Sequence, residues 1–358
     1  MQWGVGYNRI NDFNHYVHVK GINETSSMTD LYVNEIQGLT ESELKTYYPM
    51  TIYQAWKTYI IDTLNGNYVS MVPPGKLLQE QNMYSLGKIT EWTLAVSGNL
   101  WDKVFFGVSI GLPYIKNNMI RVYREEVLEH SEDSDLREWE YEEIIHRKGR
   151  GSNIKLGAIV YPMSWLRLGV AYHSRTEFEI DETWETTTEA NFNGFNPSES
   201  QASEYFYEFN TPRRFIASAA LLFGRNGMIS VDAEWLNYGS GFFYDIQYDY
   251  TNLNDDVAQN YTSTMNIRVG ADYNINGYYL RGGFTYNGSP YGFNETDKRF
   301  ISASIGTGIP ISSAFIIDIS YAYNFMGDHY YLYNYNDIEP VAFKRQGSNL
   351  STTLRLKI

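Results

Sequence analysis

Apolar and polar residues alternate with a period of two along most of this chain. In Phe315–Phe325, Phe315, Ile317, Ile319, Tyr321, Tyr323 and Phe325 share one face, against Ile316, Asp318, Ser320, Ala322 and Asn324. At the end, Leu350, Thr352, Leu354, Leu356 and Ile358 oppose Asn349, Ser351, Thr353, Arg355 and Lys357. The same alternation marks Glu91–Ser97, Leu166–His173, Ile229–Trp235 and Met265–Ile275. Successive side chains of a strand point to opposite faces, so this period requires sheet whose two faces meet different surroundings. A soluble sandwich and a membrane barrel both satisfy that requirement, with opposite assignments of the apolar face.

Connection lengths separate the two. Twelve strands are expected, at about 1–11, 87–99, 103–114, 144–161, 165–181, 204–223, 228–248, 261–275, 278–287, 299–310, 314–332 and 342–358. Five connections are tight: Leu100–Asp102, Pro162–Ser164, Gly224–Gly227, Asn276–Gly277 and Ile311–Ser313. They alternate with six long ones, at 12–86, 115–143, 182–203, 249–260, 288–298 and 333–341. Arg225-Asn226-Gly227 and Asn276-Gly277 carry the residues that supply positive φ in tight turns. Short turns on one rim and long loops on the other is the layout of an all-β transmembrane antiparallel β-barrel. The final strand then runs toward the tight-turn side, placing the C-terminus in the periplasm, and the first strand starts on that side.

Aromatics agree. Trp101, Tyr161, Trp165, Phe223, Tyr278 and Phe315 cluster at the tight turns; Trp235, Tyr238, Phe242, Phe243, Tyr323, Phe325, Tyr330 and Tyr331 lie toward the long loops. Two such girdles mark two membrane interfaces. Composition narrows the rest. With 28 Lys+Arg against 42 Asp+Glu, the charge is 28 − 42 = −14, the wrong sign for a nucleic-acid binder. Zero Cys excludes disulfides, thiolate metal sites and a Cys nucleophile. A mean hydropathy of −0.40 fits an apolar band confined to alternate residues. Met1 leads straight into Gln2-Trp3-Gly4-Val5-Gly6-Tyr7, without the basic and apolar regions of a signal peptide. A barrel must be exported, so the expectation is a chain whose beginning is missing.

Several segments together carry a resemblance. Gly4-Val5-Gly6-Tyr7-Asn8-Arg9-Ile10-Asn11-Asp12-Phe13-Asn14 with 21–27, Lys155–Pro162, Leu166–His173, Thr211-Pro212-Arg213-Arg214 leading into 218–220 and 232–238, Ile267–Tyr273, Leu280–Gly283 and Ser289-Pro290-Tyr291 occur in the order found in one family. Each is weak alone; their order makes the chain resemble the FadL/TodX-type outer-membrane transporters, in their Bacteroidetes branch. The resemblance implies a 14-stranded barrel that passes hydrophobic small molecules, such as long-chain fatty acids or aromatic hydrocarbons, through the outer membrane, with no cofactor. It also implies an N-terminal hatch with an Asn-Pro-Ala element, which this sequence lacks; hatch, signal and two strands are the expected missing parts. A His-Thr-Pro-Thr-like stretch of the family is here His173-Ser174-Arg175-Thr176.

Three constellations are candidates for function. The long loop 12–86 should hold short helices at 27–36, after a Ser27 cap, and at 50–64. Ile52, Trp56, Tyr59 and Ile60 then share a face that either forms a ligand-catching groove, as the resemblance implies for such a loop, or packs the loop onto the rim. The interior face of the strands carries Lys155, Arg167, His173, Asp232, Glu234, Arg268, Asp272, Arg281, Asp318 and Arg355, which either pair across strands or greet a carboxylate ligand. Arg124–Glu143 holds ten Asp/Glu and two Arg, without calcium-loop spacing, and reads as a solvated loop. Six scattered His offer no third ligand for His15 and His18, and His173 and Ser174 point to opposite faces, so no enzyme is expected. Expected partners are a hydrophobic ligand and the lipid and lipopolysaccharide of the outer membrane. Two other readings remain open: an accessory barrel serving a secreted protein, or a β-rich surface adhesin.

Overall fold

The computed structural model describes residues 1–73, 75–129, 135–292, 298–312, 314–330, 332–333 and 341–356. His130, Ser313, Tyr331, Lys357, Ile358 and residues 131–134, 293–297 and 334–340 of the long connections lie outside these, as do the side chains of Asp328 and His329.

The chain opens with strands β1 (Gln2–Asp12) and β2 (His15–Asn23), helices α1 (Met28–Ile36), α2 (Glu41–Tyr47) and α3 (Ile52–Lys57), and a hairpin of β3 (Ile61–Leu64) and β4 (Asn67–Ser70). Three long strands follow: β5 (Leu77–Leu100), β6 (Val104–Val127) and β7 (Leu136–Met163). Then come β8 (Leu166–His173), β9 (Glu177–Phe192), β10 (Ser198–Asn210), β11 (Arg214–Phe223), β12 (Gly227–Asn237), β13 (Phe242–Tyr244) and α4 (Thr251–Asn260). The last are β14 (Ser263–Ile275), β15 (Tyr278–Asn287), β16 (Phe300–Pro310), β17 (Phe315–Tyr330) and β18 (Val341–Leu356). A single antiparallel sheet runs β1-β5-β6-β7-β8-β11-β12-β14-β15-β16-β17-β18. Among the described residues no ladder joins β1 to β18.

Turn chemistry sets the tight rim as read. Asn276 (φ 51) and Gly277 (φ 93) join β14 to β15 in two residues, and Trp101 and Asp102 (φ 55 and 53) turn β5 into β6. The outer face is apolar and bare: Trp92 is 55%, Val170 63% and Leu280 54% exposed. A continuous apolar surface of this size is unstable in water and natural against lipid. Tyr161 departs from the expected girdle, lying under the Arg167 guanidinium, 4.7 Å from its ring, beside the interior residues.

Three expected strands are divided. The expected strand 165–181 breaks at Ser174–Thr176, and 204–223 breaks at Thr211–Arg213. Hydroxyls replace the ladder there: Ile154 N–H donates to Ser174 Oγ at 2.9 Å, and Thr176 N–H donates to Thr211 Oγ1 at 2.9 Å. Pro212 has no N–H to contribute to a ladder. The third, 228–248, ends at Asn237 and passes through a single 3₁₀ turn, Tyr238–Ser240, into β13. The wall therefore forks. β7 pairs with β8 over its lower part and with β9 over Leu136–Ser152, so residues 182–203, expected as a loop, are mostly a β9–β10 hairpin. Likewise, 115–143 is mostly continuous β6 and β7, and 249–260 contains α4.

The loop expected at 12–86 is a short strand followed by a compact cap. α1 starts at Ser27, as expected, with a capping box to Asp30; α2, which was not expected, starts at Thr40 with a capping box to Glu43. The helix expected over 50–64 stops at Lys57, and Ile61–Leu64 is strand instead. Helices of nine, seven and six residues are unstable alone and depend on docking. They dock through Ile36, Leu44, Ile52, Ile60 and Ile61 onto Tyr123 of β6, Leu136 and Trp139 of β7, and Ala190 of β9. This is the buried hydrophobic core of the molecule; the wall itself has little. Leu44→Ala should therefore cost the cap about 2–5 kcal/mol. Limited proteolysis should then cut within 24–76 faster, while the wall keeps its resistance to unfolding in detergent.

Candidate functional site

The inner face of the wall is built of small residues and paired charges. In register across β5, β6, β7 and β8 stand Ser97, Gly107, Gly157 and Ala171; Ala95 pairs with Ser109, and Gly169 of β8 with Ser218 of β11. They border a cavity of about 910 Å³ whose lining includes Lys155, Arg167, His173 and Asp232. That volume lies in the range of small-molecule sites.

Two charge networks reach across an intervening strand, and in both a glycine makes room. Glu91 of β5, 3% exposed, accepts from Lys155 Nζ at 2.5 Å and from Asn153 Nδ2 at 2.9 Å, both on β7. Between them on β6 is Gly111, where a Cβ would run into the Glu91 carboxylate and the Asn153 amide. On the opposite side, Arg281 of β15 donates to Asp272 at 2.6 Å and to Asp318 of β17 at 2.7 Å. Arg355 of β18 closes on the same Asp318 at 2.9 and 3.1 Å. Gly308 on β16 leaves the room, since a Cβ there would meet Asp318 and Tyr279. Both guanidinium groups also stand over the Tyr279 ring, at 5.2 and 4.9 Å. A third network centres on Glu234, 3.0 Å from Arg268 and 3.5 Å from Arg214.

Of the charges expected on the interior, Lys155, Glu234, Arg268, Asp272, Arg281, Asp318 and Arg355 are thus drawn into ion pairs. Asp232 accepts from Ser218 Oγ at 2.5 Å, Arg167 covers Tyr161, and His173 is half-buried between Lys155 and Arg214, its cross-strand partners. Glu91 and Arg214 complete these networks and were not among the expected residues. Glu91 sat on the recognised polar face, but its partner two strands away could not be read from alternation.

The four cap residues divide. Ile52 and Ile60 are buried, at 3% and 0% exposure, in the cap core. Trp56 packs edge-on against Tyr68 at 5.6 Å, partly covered. Tyr59 has φ 60, a left-handed backbone that costs a non-glycine residue about 1–2 kcal/mol. Its ring is 54% exposed and stands 5.8 Å from Phe195 at the tip of the β9–β10 hairpin.

What locks the cap to the wall is one carboxylate, absent from the sequence-level candidates. Glu125 of β6 is fully buried and accepts five hydrogen bonds. Ser27 Oγ (2.5 Å) and Met28 N–H (2.9 Å) come from the start of α1; Gln79 Nε2 (2.9 Å), Tyr123 OH (2.6 Å) and Trp139 Nε1 (2.8 Å) come from the wall. A helix N-terminus is the favourable place for a negative charge. Burial nonetheless outweighs the donors and holds this carboxyl above the usual range. The stretch Arg124–Glu143, expected as a solvated loop, is therefore largely strand, with Glu125 inside and Arg124 paired to Glu138 outside. His15 and His18 bond to Phe13 O and Asn82 Oδ1, and among the described residues no three metal-ligating side chains converge.

Two substitutions probe these networks. Lys155→Met strands a buried Glu91 and should destabilise the wall by about 3–5 kcal/mol, whereas adding Glu91→Gln should recover most of that, measured by urea unfolding in detergent. Glu125→Gln sets an amide N–H₂ against five donors. It should lower amide-exchange protection of residues 28–36 by about 2–3 kcal/mol, with β14–β17 unchanged.

No curated protein sequence matches the chain. Solved structures follow its course distantly. The CymD monoaromatic hydrocarbon channel is 12% identical with a TM-score of 0.47, over 83% of this chain and 85% of that one. A FadL homologue from Pseudomonas aeruginosa is 12% identical with a TM-score of 0.47, over 78% and 74%. The toluene transporter TodX of Pseudomonas putida is 12% identical with a TM-score of 0.45, over 80% and 80%. Residues 85–352, which take in the wall from β5 onward and leave out the cap, match the family described as outer membrane protein transport protein (OMPP1/FadL/TodX). The alternating wall, its exposed apolar band and this match together make the chain an outer-membrane protein that belongs to the OMPP1/FadL/TodX transport family.

Proposed function

We propose that the protein is a passive outer-membrane channel for hydrophobic small molecules, of the class of long-chain fatty acids or aromatic hydrocarbons. The observation that carries this reading is the interior surface. Most of its charges are held in ion pairs, Asp232 and Arg167 are held by Ser218 and Tyr161, and the cavity of about 910 Å³ is bordered by small residues (Gly, Ala, Ser) and apolar ones such as Val96, Phe106, Ile159 and Leu168. Such a wall leaves little free charge to trap a polar solute and offers contact to an apolar one. Paired charges stiffen the wall without presenting a binding site.

In this reading the cap receives the ligand. Tyr59 and Phe195 form an exposed aromatic contact where the cap meets the β9–β10 hairpin. Trp56 packs partly buried against the cap core and Tyr68, and Ile52 and Ile60 belong to that core. The strained backbone of Tyr59 supports a functional role, since strain at a non-glycine residue persists where the surroundings impose it and clusters at ligand sites.

Reconstitution into liposomes tests the channel. Uptake of labelled oleate or toluene should rise over protein-free vesicles without an energy source; equal rates with and without protein would overturn the reading. Tyr59→Ala and Trp56→Ala should each weaken half-saturation about tenfold, the value of one lost aromatic contact with its buried area. Unaltered uptake in both would remove the cap from the route while leaving the channel standing.

A further inference from the structure

The outer face changes character at one level above Trp92 and Tyr114, with exposed Leu86, Tyr84 and Ile120 beyond it. On β5, Leu94 and Trp92 give way to Thr90 and Lys88; on β6, Leu112 and Tyr114 give way to Lys116; on β7, Ile154 and Ser152 give way to Arg150 and Lys148. Strand register puts Lys88 directly opposite Lys116, and Lys116 directly opposite Lys148. Arg150 is opposite Tyr114, one outward position below Lys148. All four cations are exposed. At about 4.8 Å per strand, three lysines make a row roughly 10 Å long.

Like charges directly opposite destabilise a sheet, and the neighbours do little to relieve them. Asp12, across from Lys88, is held by Arg9 at 2.7 Å. Asp181, across from Lys148, is 3.9 Å away with both groups exposed. Glu179 faces Arg150 in register without an ion pair. Lys88, Lys116 and Arg150 have no ion pair among the described residues. In a chain of net charge −14, a row of cations with no acid at its own level on β5–β7 is contrary to composition. The outward acids of these strands, Glu80, Glu126, Glu138, Glu140 and Glu142, stand farther up, and Glu80 is held by Lys20 at 2.8 Å.

Height decides what the row faces. It lies directly above the exposed Trp92 and Tyr114, at the level where aromatic rings mark the edge of the hydrocarbon. Lipid phosphates occupy the next layer outward. Beside the row a groove of about 840 Å³ has Lys116, Lys148 and His146 on its β6–β7 side and exposed Phe206, Tyr244 and Ile246 along its rim. Asp181, Glu182, Glu204, Glu208 and Asp245 line its other side, so an anion is held out of the groove itself and meets the lysines from the β5–β7 face. We propose that Lys88, Lys116, Lys148 and Arg150 bind the phosphates of the phosphorylated glycolipid of the outer leaflet, lipid A of lipopolysaccharide, whose acyl chains lie below against Leu94, Trp92 and Leu112. This rests on the outer-membrane location and not on the channel reading.

The test measures binding of bis-phosphorylated Kdo2-lipid A, its dephosphorylated form and inorganic phosphate to the full chain in detergent. The wild-type protein should bind the phosphorylated lipid at least tenfold more tightly than the dephosphorylated one. The combined K88Q/K116Q/K148Q variant should lose that preference, and a K20Q/K76Q/K103Q control should keep it. Should the triple variant fail to fold, K116Q alone, at the centre of the row, should weaken binding about threefold. Equal binding of the two lipids, or an undiminished preference in both lysine variants, would overturn the proposal. So would inorganic phosphate occupying the row as tightly as the lipid, which would make it a site for free anions. Vesicle uptake by the same variants reports on the channel separately.

Discussion

In hydrocarbon no water is present to satisfy a peptide group, so strand pairing has to be complete before anything else about this molecule can hold. Pairing fixes which residues face out and which face in. Everything else is arranged on a wall whose hydrogen bonds are already spent on its neighbours. The apolar residues that would form a core in a soluble protein are turned outward, leaving the wall without one. Stiffness inside must come from other sources, and the structure supplies it with ion pairs between strands, two of which reach across an intervening strand because a glycine there leaves room.

Among the described residues, the hydrophobic core is placed at the long-loop end of the wall. There β5, β6, β7 and β9 present Tyr123, Leu136, Trp139 and Ala190 inward, and three helices too short to stand alone complete the cluster. Glu125 fixes the orientation of that docking, because a buried carboxylate tolerates few arrangements of donors and the start of α1 supplies two of five. The same strands thus serve three surroundings in turn along their length: lipid on the outer face, small residues and paired charge on the inner face, and a packed cap at the top.

Much of this was legible because it is local. Alternation at Trp92, Leu94 and Val96 needs only neighbours two apart, and Asn276-Gly277 states its own turn. Ser27 announces the start of α1, whereas α2, which begins at Thr40, was not expected. Other features resisted reading because alternation runs straight through them. The breaks at Ser174–Thr176 and Thr211–Arg213 look like strand, and only the pairing of β7 with both β8 and β9 reveals a fork. The helical stripe from Ile52 to Ile60 looks like one amphipathic face, yet Tyr59 turns left-handed so that Ile60 and Ile61 can enter the core.

By itself, the sequence determined that the chain is an antiparallel wall with an apolar outside, a polar inside, tight turns on one rim and long excursions on the other. It assigned the charges from Lys155 to Arg355 that lie on the polar face of the strands. It did not determine the neighbour of any charge, because a face is a property of one strand and a neighbour is a property of register. Only the tertiary structure paired Glu91 with Lys155 across Gly111, gathered Arg281 and Arg355 on Asp318 beside Gly308, and buried Glu125 beneath the cap. It also aligned Lys88, Lys116 and Lys148, residues 28 and 32 positions apart in sequence, into one row at one height.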